Sequence, residues 1–425
     1  MSRVLFSTLG SLGDLHPLIA MGIEMRNRGH NIGFATSEGY RHRIEALEFA
    51  FHPVRPDVAI DSPAMAPVIK QIMNPRSGPE VFLRKILFPE LRHTYDDLLC
   101  AATDGKRYDL MVTGEGIYAA PLVAEKTKIP WASTVCAPFS FFSAADPPVL
   151  PPCPRFSQWL YRFGPSMNRF VVRMIKRATR NWSIPVSNLR AELGLPCAQD
   201  PIHEGRHSPR LVLAAFSRVL GAPQPDWPQN TLITGYPFYD SPSKSSSAKL
   251  KAFLESGEPP IIFTLGSAAV FDPGQFYVES IKAALLLRKR AILLMGANAM
   301  PSPLPPGVFA CNYLPFSEVL PHAAAVVHQG GAGTLGQTLR AGKPMLIMPY
   351  SHDQPDNAAR AVKLGVARIV SRKRYKSRHV AKELQELLSN QACSAQLEEV
   401  RKLVQSENGS VTAADALERL LSSPH

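Results

Sequence analysis

The residues best suited to chemistry lie in one stretch, His328-Gln-Gly-Gly-Ala-Gly-Thr334, where the apolar run Ala325-Val-Val327 gives way to a helix-forming segment. A glycine-rich turn from strand to helix exposes several backbone N–H groups, and the helix N-terminus adds a positive partial charge. Such a place suits an anionic phosphate. The His328 ring and the Thr334 hydroxyl add donors. The plainer reading is a tight turn in which glycine only relieves crowding, since helix-terminus electrostatics alone is worth about 0.3 to 2 kcal/mol. What favours the phosphate reading is the company of Asp353-Gln354, which follows a second apolar run, Met345-Leu-Ile-Met348. A carboxylate and an amide side by side accept and donate hydrogen bonds to vicinal sugar hydroxyls, although such a pair before a helix also serves as a cap. The six cysteines lie far apart, with no C-x-x-C pair and no metal-ligand spacing, and read as reduced thiols, mostly buried.

The elements that must position these residues alternate in type. In the first half Val4–Leu9, Asn31–Thr36, Asp109–Thr113 and Trp131–Val135 read as strands, with helical patterns between them. After a Pro-, Ser- and Gly-rich region the same rhythm restarts in Ile261–Leu265, Ala291–Met295, Val308–Asn312, Ala325–His328 and Met345–Met348. Alternating strands and helices mean βαβ units and parallel sheets. The expected fold class is therefore α/β, with two doubly wound domains in series. The expected division is a first domain over residues 1–222, a linker region over 223–258 with one strand at Thr231–Thr234, a second domain over 259–405, and a C-terminal helix over 406–425 placed to pack back on the first domain. Sheets of this kind bind ligands at the carboxyl ends of their strands, which puts a site in the cleft between facing domains.

Composition fits this picture. The 425 residues are 45% hydrophobic and 19% charged, which excludes a disordered or coiled-coil chain. No apolar run is long enough to span a bilayer, and the N-terminus lacks a signal-peptide pattern, so a cytoplasmic protein is expected. The net charge of +12 suits a phosphate-bearing ligand, an anionic membrane face or nucleic acid. No nucleic-acid reading motif accompanies it, and none is expected as a partner. Between the halves, Gln158–Arg180 reads as one amphipathic helix with a strongly basic face. It is either a membrane-surface or acceptor-covering element, or a solvated face over a helix packed on its domain.

Taken together, the segment Tyr313–Asn357 resembles the nucleotide-sugar signature of family 1 glycosyltransferases, the group of plant secondary-metabolite, bacterial antibiotic, sterol and rhamnolipid enzymes. The resemblance covers nearly the whole chain, including an N-terminal G-x-x-G-D-x-x-P and a mid-chain strand ending in Gly266-Ser267. It implies a GT-B fold, two Rossmann-like domains facing across a cleft, with the acceptor on the first and the donor on the second. It also implies roles. Tyr313 would stack on the donor base, His328 would bind the diphosphate, and the N–H groups from Gly331 through Ala332, Gly333 and Thr334 would cradle it. Asp353 and Gln354 would hold donor-sugar hydroxyls, while Gly266 and Ser267 would edge the phosphate or sugar.

Two departures from the family pattern bear on the donor. Gly336-Gln337 stands where many members have a ribose-binding Glu, which leaves room for a dTDP-sugar beside a UDP-sugar. Phe316 replaces a common Gln. For the base, Asp14 in Gly10-Ser-Leu-Gly-Asp-Leu-His-Pro17 occupies the position at which relatives carry His or Asp; the alternative is that it caps the first helix. His16 is the second candidate, and Glu115 a further polar cleft residue. The implied reaction is a single displacement with inversion. No D-x-D motif lies near the signature, so no metal and no cofactor beyond the nucleotide-sugar co-substrate is expected. The expected acceptor is a small apolar or aromatic molecule. A membrane-associated glycolipid or sterol transferase, and a non-catalytic nucleotide-sugar-binding protein, are the alternatives.

Overall fold

The computed structural model describes residues 1–57, 65–240 and 248–423. The serine-rich run Ser241–Ser247, within the linker region expected above, and the segment Val58–Ala64 lie outside the described residues. Seven strands form the first sheet: β1 (Arg3–Thr8), β2 (Asn31–Thr36), β3 (Ala50–Pro53), β4 (Leu110–Thr113), β5 (Trp131–Val135), β6 (Val212–Ala214) and β7 (Thr231–Ile233). Six form the second: β8 (Ile261–Thr264), β9 (Ala291–Leu294), β10 (Val308–Cys311), β11 (Ala325–His328), β12 (Met345–Ile347) and β13 (Ala367–Ile369). All pairings are parallel. Continuous apolar runs such as Val4-Leu-Phe6 and Ile261-Ile-Phe263, fully buried, are what a strand covered by helices on both faces requires.

The strand orders are β3-β2-β1-β4-β5-β6-β7 and β10-β9-β8-β11-β12-β13. In each sheet the order reverses once, between β1 and β4 and between β8 and β11. At such a switch point the loops leaving the two central strands diverge to opposite faces and open a crevice at the carboxyl ends. The residues picked out from the sequence leave these strands: Asp14 follows β1, Glu115 follows β4, Gly266 follows β8 and His328 ends β11.

Two expectations are revised. β7 pairs with β6, so the first sheet continues through Ile233 instead of ending before a linker at 223. The basic segment 158–180 is two helices, Pro154–Tyr161 and Pro165–Thr179. Arg162 caps the first, Gly164 at φ +91 is the N-cap of the second, and Pro165 starts it.

Side chains from the two domains interlock beside the cleft. Arg360 pairs with Asp356 on its own helix at 2.7 Å and reaches Asp146 of the first domain at 2.6 Å. The Ser351 hydroxyl donates to the Asn74 carbonyl. At the far end, the last helix, Gly409–Ser422, packs on the first, Leu12–Asn27, where Arg28 pairs with Asp415 and Glu418. No helix among the described residues is long and apolar enough to cross a membrane.

Candidate active site

The glycine-rich turn is built for close approach. Gly330 has φ +92, and a Cβ there would meet Ile347 Cγ2 at 2.9 Å. Gly331 is the N-cap of the helix Ala332–Ala341, and no side chain caps it. The amides of Ala332, Gly333 and Thr334 are therefore orphan helix-start donors. Across the cleft stands the other helix start: a Cβ on Gly333 would lie 3.9 Å from Gly13 Cα. The two glycine turns, one from each domain, face each other.

His328 is fully buried. Its Nδ1 accepts from the Gly330 N–H at 3.0 Å, and burial pushes its pKa down to about 3. At neutral pH the ring is uncharged, and because Nδ1 is an acceptor the proton sits on Nε2. That Nε2–H is buried and has no partner among the described residues. A buried donor without an acceptor costs about 1 to 3 kcal/mol, and an anionic oxygen would relieve this cost.

Around it lie residues the sequence reading passed over. Gln329 fills the gap between the two phosphate-side strands: a Cβ on Gly266 would meet its Nε2 at 2.3 Å, and one on Gly331 at 2.8 Å. Gly266 has φ +64, so both its conformation and its space require glycine. Asn357 donates to the Gly330 carbonyl at 3.0 Å and to Asp353 Oδ2 at 2.7 Å, tying the turn to the carboxylate. Adjacency to His328 was the only sequence signal for Gln329. A position one helical turn after Asp353 was the only one for Asn357.

Asp353 occupies the N-cap position of the helix Gln354–Lys363 without capping it; its carboxylate faces the cleft. Burial, with the charges of Glu115 and Asp14 adding to it, raises its pKa to about 7. Gln354 is buried, and its Oε1 accepts from the Tyr350 N–H at 2.9 Å. Its amide oxygen is thus committed to the loop. Ser267 is partly exposed beyond Gly266, and Tyr313 stands 59% exposed after β10. Phe316 begins a short helix, Phe316–Val319, and packs against apolar side chains.

On the first domain, Asp14 forms a capping box: its Oδ2 accepts from the Ser11 N–H at 2.8 Å and the Ser11 hydroxyl at 3.1 Å. The cap reading thus holds for one oxygen; Oδ1 makes no hydrogen bond among the described residues. Burial raises the Asp14 pKa to about 6, and the Glu115 charge adds to this. His16 lies against Tyr239, ring centroids 5.1 Å apart. Its buried Nε2 has no partner among the described residues, and burial holds its pKa near 4. Glu115 accepts from the Cys136 N–H at 2.9 Å and from the Ser140 hydroxyl at 2.5 Å. Carboxylates from both domains thus converge: burial first, then Glu115, Asp14 and Asp353 push the Cys136 thiol well above its ordinary pKa. Among the described residues no group of three or more His, Cys, Asp or Glu is arranged to hold a metal ion.

Gly336 has a packing reason. A Cβ there would meet the Tyr236 ring at 2.7 to 2.9 Å, so the space a longer side chain would need is already filled.

Known proteins resemble this chain in sequence and fold. Residues 4–138 match the glycosyltransferase family 28 N-terminal domain, and residues 288–420 match the erythromycin biosynthesis protein CIII-like C-terminal domain. The O-mycaminosyltylonolide 6-deoxyallosyltransferase of Streptomyces fradiae is 29% identical over 98% of this chain and 97% of its own. Glycosyltransferase GtfE of Amycolatopsis orientalis is 30% identical over 86% of this chain and 85% of its own. The solved structure of glycosyltransferase VinC in complex with dTDP superimposes with a TM-score of 0.69 at 17% identity, covering 99% of each chain.

Proposed function

Because the chain belongs to the family 1 glycosyltransferases with the GT-B fold, we propose that it moves a hexose from a UDP- or dTDP-sugar to a hydroxyl of a small apolar or aromatic acceptor, inverting the anomeric centre. The observation that carries this reading is the buried, partnerless Nε2–H of His328 beside uncapped helix amides, a set of neutral donors shaped for a diphosphate.

In this mechanism the acceptor oxygen attacks the anomeric carbon from the first-domain side while the bond to the diphosphate breaks on the other. The acceptor proton passes to Asp14, and the bonding electrons leave with the diphosphate. Charge therefore grows on the phosphate oxygens, where fixed donors at His328 and the turn act on the transition state without reorganising. Asp353, oriented by Asn357, accepts from sugar hydroxyls. Gln354 contributes its remaining amide hydrogens, and Tyr313 offers a ring to the base. Gly266 lets the second sheet's loop approach the donor, and Ser267 adds a hydroxyl beside it. His16, held neutral, lines the acceptor side. The stabilisation of the leaving group comes from these donors, with no metal and no cofactor beyond the nucleotide sugar.

The nucleotide follows from Gly336. A side chain clamping the ribose 2′-hydroxyl would reject a deoxynucleotide by leaving a buried polar group unpaired, at about 1 to 3 kcal/mol; here Tyr236 fills that space. The dTDP bound in the VinC structure supports the same reading. Calorimetric titration is expected to show weak discrimination between UDP and dTDP, or a preference for dTDP. A UDP preference above about a hundredfold, which at about 2.8 kcal/mol matches the upper part of that penalty, would mean that another residue holds the ribose. A second reading, an acceptor presented at a membrane, is favoured by the exposed apolar and basic side chains of the two helices between Pro154 and Thr179.

A further inference from the structure

The helical pair Pro154–Tyr161 and Pro165–Thr179 has an outer face that no part of the chain covers among the described residues. Phe156 and Trp159 on the first helix and Phe163 in the turn after it form a connected aromatic ridge. Phe156 stacks on Trp159 at 5.7 Å, and Trp159 meets Phe163 edge-on at 5.0 Å, yet the three are 56%, 50% and 60% exposed. On the second, Phe170 and Met174 continue the apolar strip and are about as exposed. Water-exposed aromatic side chains in such number are an interaction surface, not a packing remainder.

Charge identifies the partner. Between Pro154 and Trp182 there are seven Arg and Lys residues and no Asp or Glu. Arg169, Arg173 and Lys176 recur along one side of the second helix beside Phe170 and Met174, and Arg180 follows its last residue. Lys176 is held by Glu204; Arg155, Arg162, Arg169, Arg173 and Arg177 are exposed and make no ion pair among the described residues. A second copy of this chain docking face to face would set cation against cation. An anionic lipid surface takes both features at once, because apolar rings enter the acyl boundary while the arginines stay at the headgroups.

We infer that this helical pair is a docking surface for an anionic lipid bilayer, which sets the cleft mouth at the membrane. This deepens the membrane-acceptor reading and is independent of the donor and base assignments. The position of its roots supports the orientation. Just before the pair, the Val149 N–H donates to Asp356 Oδ1 at 2.9 Å, three residues from Asp353. At its other end Thr179 bonds His203 at 2.9 Å, and Arg206, nearby in the same loop, approaches Glu115 at 3.4 Å. Both ends of the pair are therefore fixed to residues bordering the cleft.

Co-sedimentation of the full chain with vesicles tests this, using phosphatidylcholine alone and with about a third phosphatidylglycerol. Partition to the anionic vesicles is expected to be about tenfold stronger or more, and to fall as salt is raised. Vesicle addition should shift tryptophan emission to the blue, and Trp159→Phe should lose the shift. Arg169→Glu with Arg173→Glu should abolish sedimentation and leave transfer to a soluble phenolic acceptor within about twofold of wild type, a readout that separates this inference from the transferase reading. Failure to bind anionic vesicles would overturn the inference. So would equal binding to soluble polyglutamate without the emission shift, which would assign the face to an acidic protein. Should the charge-reversed variant not fold, salt dependence and the Trp159 shift in the otherwise unaltered chain decide the matter.

Discussion

Replacing His328 by Ala is expected to lower kcat/KM by about 10² to 10³ while leaving the fold intact. That is the usual cost of removing one preorganised donor from a developing oxyanion. Stability should change little, because the lost Gly330 contact is offset by removing a buried donor that no described residue satisfies. The sharper readout is linkage: dTDP or UDP should raise the melting temperature of wild type and not of the variant. The sign of the pH dependence is also set. With its pKa held near 3, His328 is neutral across the working range, so it contributes no loss of activity as pH rises through 6 to 7. A falling limb there would mean that a protonated imidazolium holds the diphosphate. Activity within a few fold of wild type would remove His328 from the site.

Asp14→Asn is expected to lower turnover by about 10² to 10⁴, the range for a positioned general base. The amide oxygen can still accept from the Ser11 N–H, so the helix cap survives and circular dichroism should be unchanged. Only the ionised carboxylate takes a proton. With the pKa raised to about 6, activity is lost as pH falls through that value and present above it. Asp353, raised to about 7, interacts with Asp14, so the ascending limb of kcat/KM belongs to the pair and should lie between about 6 and 7. In the Asn variant the part of the limb due to Asp14 disappears. His16→Ala should cost less, since His16 is held neutral with a pKa near 4 and a weak conjugate base of that kind accepts a proton poorly. A larger loss in His16→Ala than in Asp14→Asn would reverse the two roles.

Much of this was legible in the sequence because buried parallel strands write themselves as unbroken apolar runs. β1, β5, β8, β9 and β11 were read that way within a residue or two. β3, β6 and β13 escaped notice because Ala50–Pro53 and Ala367–Ile369 are short edge strands, half-exposed and broken by Pro, His or Arg, and Val212–Ala214 is three residues long. The glycine turn was legible since glycine at a strand-to-helix junction has a backbone meaning. The partners of that turn were not. Gln329 reaches Gly266 from 63 positions away, and Tyr236 fills the space beside Gly336 from 100 positions away; no local pattern encodes contacts that the fold creates. For Asp14, legible as base or cap, the geometry gives the cap through one oxygen while the other makes no hydrogen bond among the described residues.

The central claim is group transfer from a nucleotide sugar held at the His328 turn. Its most direct test incubates the chain with a panel of UDP- and dTDP-sugars and a promiscuous phenolic acceptor, with products scored by mass and by the anomeric coupling constant. The account predicts a product heavier by one sugar residue, with the anomeric configuration opposite to the donor's. A retained configuration would contradict the single displacement. No transfer from any donor, by a chain that binds both nucleotides, would contradict the claim itself.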